Sequence, residues 1–281
     1  MSSAIGWGIL AAVSCALIGN VAALIKFKAV QEVPCISLSN PWVSFRALLK
    51  SKAWLMGFAL ATTGFMFNAL ALALAPLSIV KPVLAGGVVL LALLAERMLG
   101  VQPGRKQLAA LLLAAGGLIA FAVTSPGTSN HLPGKGLLEF ELAAMLAVAV
   151  FLLLSKHRPA LFLATAAGIL MGAADAAVKQ MGMTGLGSWF EGPAFYALMG
   201  ALAALLIASK ALQIGEAIGT VAVIGVASNL TAMLAGYTVF QDQLPADGLA
   251  AFLHLAALAA VLAGMLLVPG PRPSQHQASE D

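Results

Sequence analysis

The chain has 281 residues, of which 61% are hydrophobic and only 9% charged, and its mean hydropathy is +0.97. Water-soluble domains carry roughly a quarter of their residues as charged side chains, so this composition excludes both a soluble enzyme and a disordered chain. The formal net charge of +4 does not point to nucleic acid, because the basic residues sit in short loops between apolar runs and act there as topology signals.

The apolar runs are continuous and about 20 residues long, the length at which a helix crosses a hydrocarbon layer of roughly 30 Å. Continuous runs exclude barrel strands, which alternate. Nine spans are predicted in chain order, at 5–25, 54–75, 77–98, 107–124, 137–154, 160–180, 193–212, 215–240 and 248–268. No Lys or Arg precedes the first, while Lys26 and Lys28 follow it, which marks a retained span rather than a cleaved signal. Cys15 and Cys35 are too few and too differently placed for a disulfide framework or a metal cage. The connection 28–52 carries Asn40-Pro41 and then Trp42, Phe45, Leu48 and Leu49 among basic residues, the pattern of a short amphipathic helix on a membrane surface. The segment 269–281 is rich in Pro, Ser and Gln and is predicted to be a disordered tail.

Of the 15 Lys and Arg, all but Lys81, Lys135 and Lys179 follow odd-numbered spans. Short cytoplasmic loops collect basic residues, so the expected topology has the N-terminus outside and the C-terminus in the cytoplasm of a bacterial inner membrane.

The sixth span repeats the first at an offset of 153, pairing Gly19 with Gly172, Ala23 with Ala176 and Lys26 with Lys179. A weaker match at an offset of 140 sets Ala71-Leu72 over Ala211-Leu212, and Glu96 and Asp242 close the third and eighth spans. An odd number of spans separates the copies, so they enter the bilayer from opposite sides. The expectation is an all-α integral membrane fold in a 4 + 1 + 4 arrangement: a first repeat over 5–124, a linking helix at 137–154 and an inverted repeat over 160–268. Inverted repeats are the structural basis of alternating access in transporters.

Among the charges within or beside the spans, only Asp175 lies deep in one. An ionisable group there costs at least about 2.5 kcal/mol on insertion scales, which makes it a candidate substrate or coupling-ion residue. Lys179 follows at i+4, so the two also fit a local ion pair. Gly168, Gly172, Asp175 and Lys179 fall on one stripe of the sixth span, matched in the first by Cys15, Gly19, Ala22 and Lys26 with Asn20 beside it. Such small-residue stripes serve helix packing, within one chain or in a homodimer. In the third span Pro76 and Pro82, with Gly86-Gly87 beyond, remove backbone donors, and Lys81 lies close to the outer face, where it either snorkels or attracts an anion. The eighth span is unusually small-sided and polar, with Gly219, Ser228, Asn229 and Thr231. Asn68, Thr62, Thr63 and His254 read as helix-to-helix hydrogen bonds. Metal-ligand spacing, a nucleophile triad and a phosphate-cradling loop are all missing from the sequence, so no cofactor and no enzyme activity are expected.

The segment Asn68 to Pro82 with Glu96-Arg97, and its second-half copy from Ala211 to Asp242, resembles the drug/metabolite transporter superfamily. Within it the pattern Asn68-x2-Ala71, Ala75-Pro76, Val80-x-Pro82 is most similar to the NIPA-type magnesium transporters. Two positions depart from that pattern: Lys81 where a small polar residue is usual, and Ala222 where proline is usual. The resemblance implies a cavity lined by the first, third, sixth and eighth spans. The expected function is transport of a small polar or amphipathic solute, with Asp175, Lys179, Lys81 and Asn20 as substrate or coupling-ion residues and Pro76, Pro82, Gly86, Gly172, Gly219 and Asn229 as cavity and gate positions. The alternatives are Mg²⁺ as the cargo, with Asp175 as its ligand, and a non-transporting membrane assembly subunit.

Overall fold

Uninterrupted apolar sequence with few helix breakers dictates helix, and the computed structural model, which describes residues 2–74, 77–101, 103–124, 136–154, 159–184, 192–241 and 245–267, contains ten helices and no strand among those residues. They are α1 (Ser2–Gln31), α2 (Pro41–Lys50), α3 (Lys52–Leu74), α4 (Leu77–Leu99), α5 (Arg105–Thr124), α6 (Leu137–Leu154), α7 (Pro159–Thr184), α8 (Gly192–Ile214), α9 (Ala217–Thr238) and α10 (Gly248–Leu267). Among the described residues four stretches are long and apolar enough to cross a membrane: Gly6–Gln31, Ala160–Val178, Ala217–Thr238 and Gly248–Leu267. Large apolar side chains also cover the outside, with Phe140 and Phe151 each 73% exposed and Leu266 72%. An apolar exterior around an apolar interior is consistent with a membrane-embedded protein.

The helix ends follow local chemistry. Asn40-Pro41 opens α2, where proline fits the first helical position. The chain leaves α4 through Gly100 at φ +67°, a left-handed conformation that suits glycine, and the Gly100 amide donates to the Glu96 carbonyl. Asp247 caps α10 by accepting the Ala250 amide at 3.1 Å. Two of the predicted boundaries that shift have a clear local cause. The first span continues six residues past 25 to Gln31, because nothing in Lys26-Phe27-Lys28 breaks a helix. The eighth begins at Ala217 rather than 215, because Gly215 and Glu216 form the turn between α8 and α9. A Cβ at Gly215 would collide with the Thr220 hydroxyl and lie 2.7 Å from the Ala211 carbonyl oxygen. The expected amphipathic helix is α2, which buries Ser44 and Leu48 and exposes Trp42 and Val43.

Close helix approach organises the packing. α1 packs on α3 and α4, and α4 on α5; α7 packs on α8 and α9, and α9 on α10; α6 lies on α7. α5 and α10 join these two groups. Gly117 of α5 lies against Ala257 and Val261 of α10, while Gly264 of α10 lies against Ala110 and Ala114 of α5. Positions rise along one helix as they fall along the other, so this pair is antiparallel. On α7, Gly168 faces Ile224 and Ala227 of α9 and Gly172 faces Ser228 and Thr231, a parallel pair.

At these crossings the backbones leave no room for a side chain. A Cβ at Gly264 would sit 2.6 Å from the Ala114 nitrogen, and one at Gly172 would sit 2.6 Å from Thr231 Cβ. Gly264→Ala and Gly172→Ala are therefore expected to cost about 1–3 kcal/mol each through overpacking. A Cβ added at Gly225 would meet nothing within 4 Å, so Gly225→Ala is expected to gain up to about 1 kcal/mol from helix propensity. Thermal unfolding in detergent checks the set: Tm falls for the first two and holds or rises for the third.

Candidate functional site

A polar cluster ties the two groups of helices together at one end of the bundle, and Gln213, near the end of α8, is its centre. The Gln213 side-chain amide donates to the carbonyls of Val33 at 3.0 Å, Val30 at 3.1 Å and Pro34 at 3.3 Å, and its Oε1 accepts the Ile36 amide at 2.9 Å. In return the Gln31 amide at the end of α1 donates to the carbonyls of Leu212 at 2.9 Å and Gln213 at 3.2 Å. The connector between α1 and α2 is thus held through backbone groups that its irregular path leaves without helical partners. Ser44 of α2 fixes its far side, accepting the Ser37 amide at 3.0 Å and donating to the Ser37 carbonyl at 2.9 Å.

Further contacts surround this hub. Trp54 Nε1 at the start of α3 reaches Ser209 Oγ of α8 at 3.4 Å, and Gln107 at the start of α5 donates to Glu216 Oε1 at 3.2 Å. Beneath them Ala29, Val30, Ile36, Leu48, Trp54 and Leu212 form one buried cluster. The end where α1 and α8 finish and α3, α5 and α9 begin is therefore closed by both hydrogen bonds and apolar burial. Beside it, an open cleft of about 460 Å³ between α1, α3 and α4 is lined by Leu24, Met56 and Met98 with Lys28 and Glu32.

The opposite end carries a second polar group. His254 of α10, 2% exposed, has Thr124 Oγ1 of α5 2.7 Å from Nδ1 and Tyr237 Oη of α9 2.6 Å from Nε2. The Phe121 ring lies over the imidazole at a centroid distance of 4.0 Å. The expected helix-to-helix role of His254 is what these bonds describe. Thr62 and Thr63 instead donate to the Phe58 and Ala59 carbonyls of their own helix, and Asn68 Oδ1 is buried with no hydrogen-bond partner among the described residues.

Among the described residues, the sequence-predicted site residues have different surroundings. Asn20 donates to the Gly87 carbonyl at 2.7 Å, which uses its amide to join α1 to α4. The stripe on α7 divides, because Gly168 and Gly172 are consumed by packing on α9 while Asp175 is exposed. Asp175 is thus set well inside α7, with its side chain exposed. Gly219 is buried, Asn229 exposed, and Gly86 has open space beside it. Pro82 lies inside α4, which runs through it without the expected break, since a proline in the second turn removes only one helical donor. Pro76 lies outside the described residues, as do the side chains of Lys81 and Lys179.

Two features were not among the expected site residues. Lys26 lies within α1, and its stem fills the space over Gly57, where a Cβ would approach Lys26 Cγ to 2.7 Å; the signal for it was the repeat that pairs it with Lys179. Gln213 gave no local signal, because its partners lie 177 to 183 residues away. Comparisons with protein-family models, with curated proteins and with solved structures found no match to this chain.

The hub makes a direct prediction. Gln213→Ala deletes the acceptor of the Ile36 amide and the donor to three carbonyls, so hydrogen exchange across 30–37 is expected to quicken by about tenfold or more, the factor given by 1.4 kcal/mol. Gln213→Glu, which keeps the acceptor but turns a carboxylate toward the three carbonyls, is expected to do the same, as measured by exchange mass spectrometry in detergent.

Proposed function

We propose that the chain is a secondary transporter of the drug/metabolite type, with nine spans in a 4 + 1 + 4 inverted repeat, that moves a small polar or amphipathic solute by alternating access. The spans are α1, α3, α4 and α5, then α6, then α7 to α10, and α2 lies on the membrane surface. The packing supports this reading: the order in which α1 contacts α3 and α4, and α4 contacts α5, recurs as α7 with α8 and α9, and α9 with α10. The α5–α10 pair, antiparallel and drawn from corresponding places in the two halves, is then the seam on which they rock.

The observation that carries the proposal is the asymmetry between the two ends. α1 packs on α8 at the Gln213 hub, whereas among the described residues α7 makes no comparable interface with α3. At the repeat offsets Gln31 aligns with Thr184 and Gln213 with Ala73, so neither glutamine of the hub has a matching glutamine in the other copy. Among the described residues the Gln213 end is bridged by the α1–α8 contact and the buried cluster beneath it, while the far end is bridged through the Thr124–His254 pair. A bundle more fully joined at one end has the form of a carrier shut on that side. The basic loops gather at the shut end, which the positive-inside rule assigns to the cytoplasm of an inner membrane. In this reading the exposed Asp175 is the substrate or coupling-ion carboxylate. Among the described residues no three His, Cys, Asp or Glu lie together, so no observation favours Mg²⁺ over an organic solute.

The test locks the shut end. Lys210 Nζ lies 3.9 Å from Cys35 Sγ, so Lys210→Cys with native Cys35, in a Cys15→Ser background, accepts a short bifunctional thiol reagent. Proteoliposomes are assayed with a trapped Mg²⁺ indicator and a panel of labelled polar metabolites. The cross-linked protein is expected to lose the flux that the untreated protein supports, to recover it when a cleavable linker is reduced, and Asp175→Asn is expected to lower it at least about tenfold. Undiminished flux through the cross-linked protein overturns alternating access. No flux of any solute, with a fixed co-purifying partner, makes the chain an assembly subunit.

A further inference from the structure

His254 is the one titratable side chain of α10, and it sits where α5, α9 and α10 meet. The proton positions around it follow from counting donors. The Thr124 hydroxyl has one proton and lies 2.8 Å from the Ala120 carbonyl and 3.2 Å from that of Phe121, both on its own helix. With that proton given to the backbone, Thr124 Oγ1 can only accept from His254, so Nδ1 carries the hydrogen. Nε2 is then a lone pair, and at 2.6 Å it takes the Tyr237 hydroxyl proton. A free imidazole usually carries its hydrogen on the other nitrogen; here the two hydroxyls select the tautomer and leave Nε2, the nitrogen facing Tyr237, as the base.

The surroundings suit a charge that comes and goes. Thr124 is the last residue of α5 and Tyr237 the penultimate residue of α9, so the negative ends of two helix dipoles are directed at the imidazole. α9 carries no charged residue and no titratable one but Tyr237, and the only charges of α5, Arg105 and Lys106, are at its far end. Nearby, Asp247 is engaged in capping α10 and Glu141 of α6 accepts the Thr238 hydroxyl at 2.6 Å. His254 is buried, but Tyr237 is only partly so and Thr238 next to it is exposed. A proton arriving from water can bind Tyr237 Oη while the tyrosine passes its own proton to Nε2. The O–H to Nε2 hydrogen bond is thereby replaced by N–H to Oη, the tyrosine stays neutral, and the charge rests on the imidazolium.

We propose that Thr124, His254 and Tyr237 form a proton-binding site at the end of the bundle remote from Gln213, and that its occupancy sets the balance between the shut and open forms of the Gln213 end. This rests on the transporter reading, for which it names the coupling ion as H⁺. The site spans the α5–α10 seam, so adding a charge alters the chief contact between the two halves. In the neutral form Thr124 accepts and Tyr237 donates; in the cationic form both must accept. A rearrangement of donors across a packed seam biases a two-state bundle without needing contact with the solute.

Two measurements on the full chain in lipid nanodiscs decide it. The first is ¹⁵N-imidazole NMR, with the His254 signal assigned by its loss in His254→Gln and with histidines 131, 157 and 276 as internal references. The expected result is a neutral Nδ1–H form in base that converts to the doubly protonated form on acidification, with Tyr237→Phe changing the titration and Thr124→Ala releasing the tautomer. The second uses Ser209→Cys, a position 3% exposed behind the hub, in a Cys15→Ser, Cys35→Ser background. The rate at which the introduced thiol reacts with an impermeant maleimide, corrected for the reagent's own pH dependence on an exposed cysteine, is expected to change about tenfold on acidification and to lose that change in Tyr237→Phe. A His254 that stays neutral throughout is an interhelical staple only and overturns the proposal while leaving the transporter reading standing. A His254 that titrates while the introduced thiol reacts at one pH-independent rate overturns the coupling. A thiol at this position that never reacts at any pH means the end does not open, which overturns the transporter reading and the coupling with it.

Discussion

The near-contact of two backbones at the α5–α10 crossing governs the rest of the structure. Gly117 and Gly264 let the helices approach until a methyl group on either would strike main-chain atoms of its neighbour. Without water to expel, helices in a bilayer associate through such close packing and through hydrogen bonds between them. The first four long helices reach the last four chiefly here, so the position of each group is referred to this line. Around it the polar groups are divided: Gln213 and its partners close one end, and the His254 group lies beyond the crossing at the other.

The two clusters differ in kind. Gln213 makes its bonds almost entirely to backbone carbonyls and one amide of the α1–α2 connector, so they form when the connector is seated and are lost together when it leaves. Such a set is cooperative and favours one closed arrangement over partly open ones. His254 bonds to two hydroxyls, each able to act as donor or acceptor, so both bonds survive a change of protonation, the Tyr237 bond by reversing and the Thr124 bond unchanged. One cluster resists intermediate positions and the other tolerates a change of charge.

What the sequence made legible was whatever depends on neighbours along the chain. Continuous apolar runs placed the long helices, and Asn40-Pro41 placed α2, because hydropathy and capping are local properties. The two boundary errors are local competitions that went the other way: Lys26 and Lys28 propagate a helix as readily as they end a span, and Gly215 serves a turn rather than a first helical turn. The fate of the α7 stripe was not legible. Spacing puts Gly168, Gly172 and Asp175 on one face, but only the approach of α9 decides that the glycines are used up and the carboxylate is left exposed. Asn20 shows the same limit, since its polarity was visible and its commitment to the Gly87 carbonyl was not. Gln213 had no spacing to betray it, because all its bonds span the whole middle of the chain.

The Gln213 hub also accounts for the path the chain takes through α2. A connector joining α1 to α3 directly could be short, yet here it runs out through Ile36, returns through a ten-residue helix and is pinned at Ser37 by Ser44. This detour carries the carbonyls of Val30, Val33 and Pro34 to Gln213 and places Leu48 in the cluster beneath it. It also leaves Trp42 and Val43 exposed beside Arg46 and Lys50, a face suited to an interface of apolar chains and anionic headgroups. In the proposed transporter, α2 is held both by the membrane surface and by the hub, which opposes its following α8 when α8 swings away. Under the proposed alternating access, opening that end breaks the Gln213 bonds to the connector or carries α2 along with α8, so those bonds are where the cost of opening is concentrated.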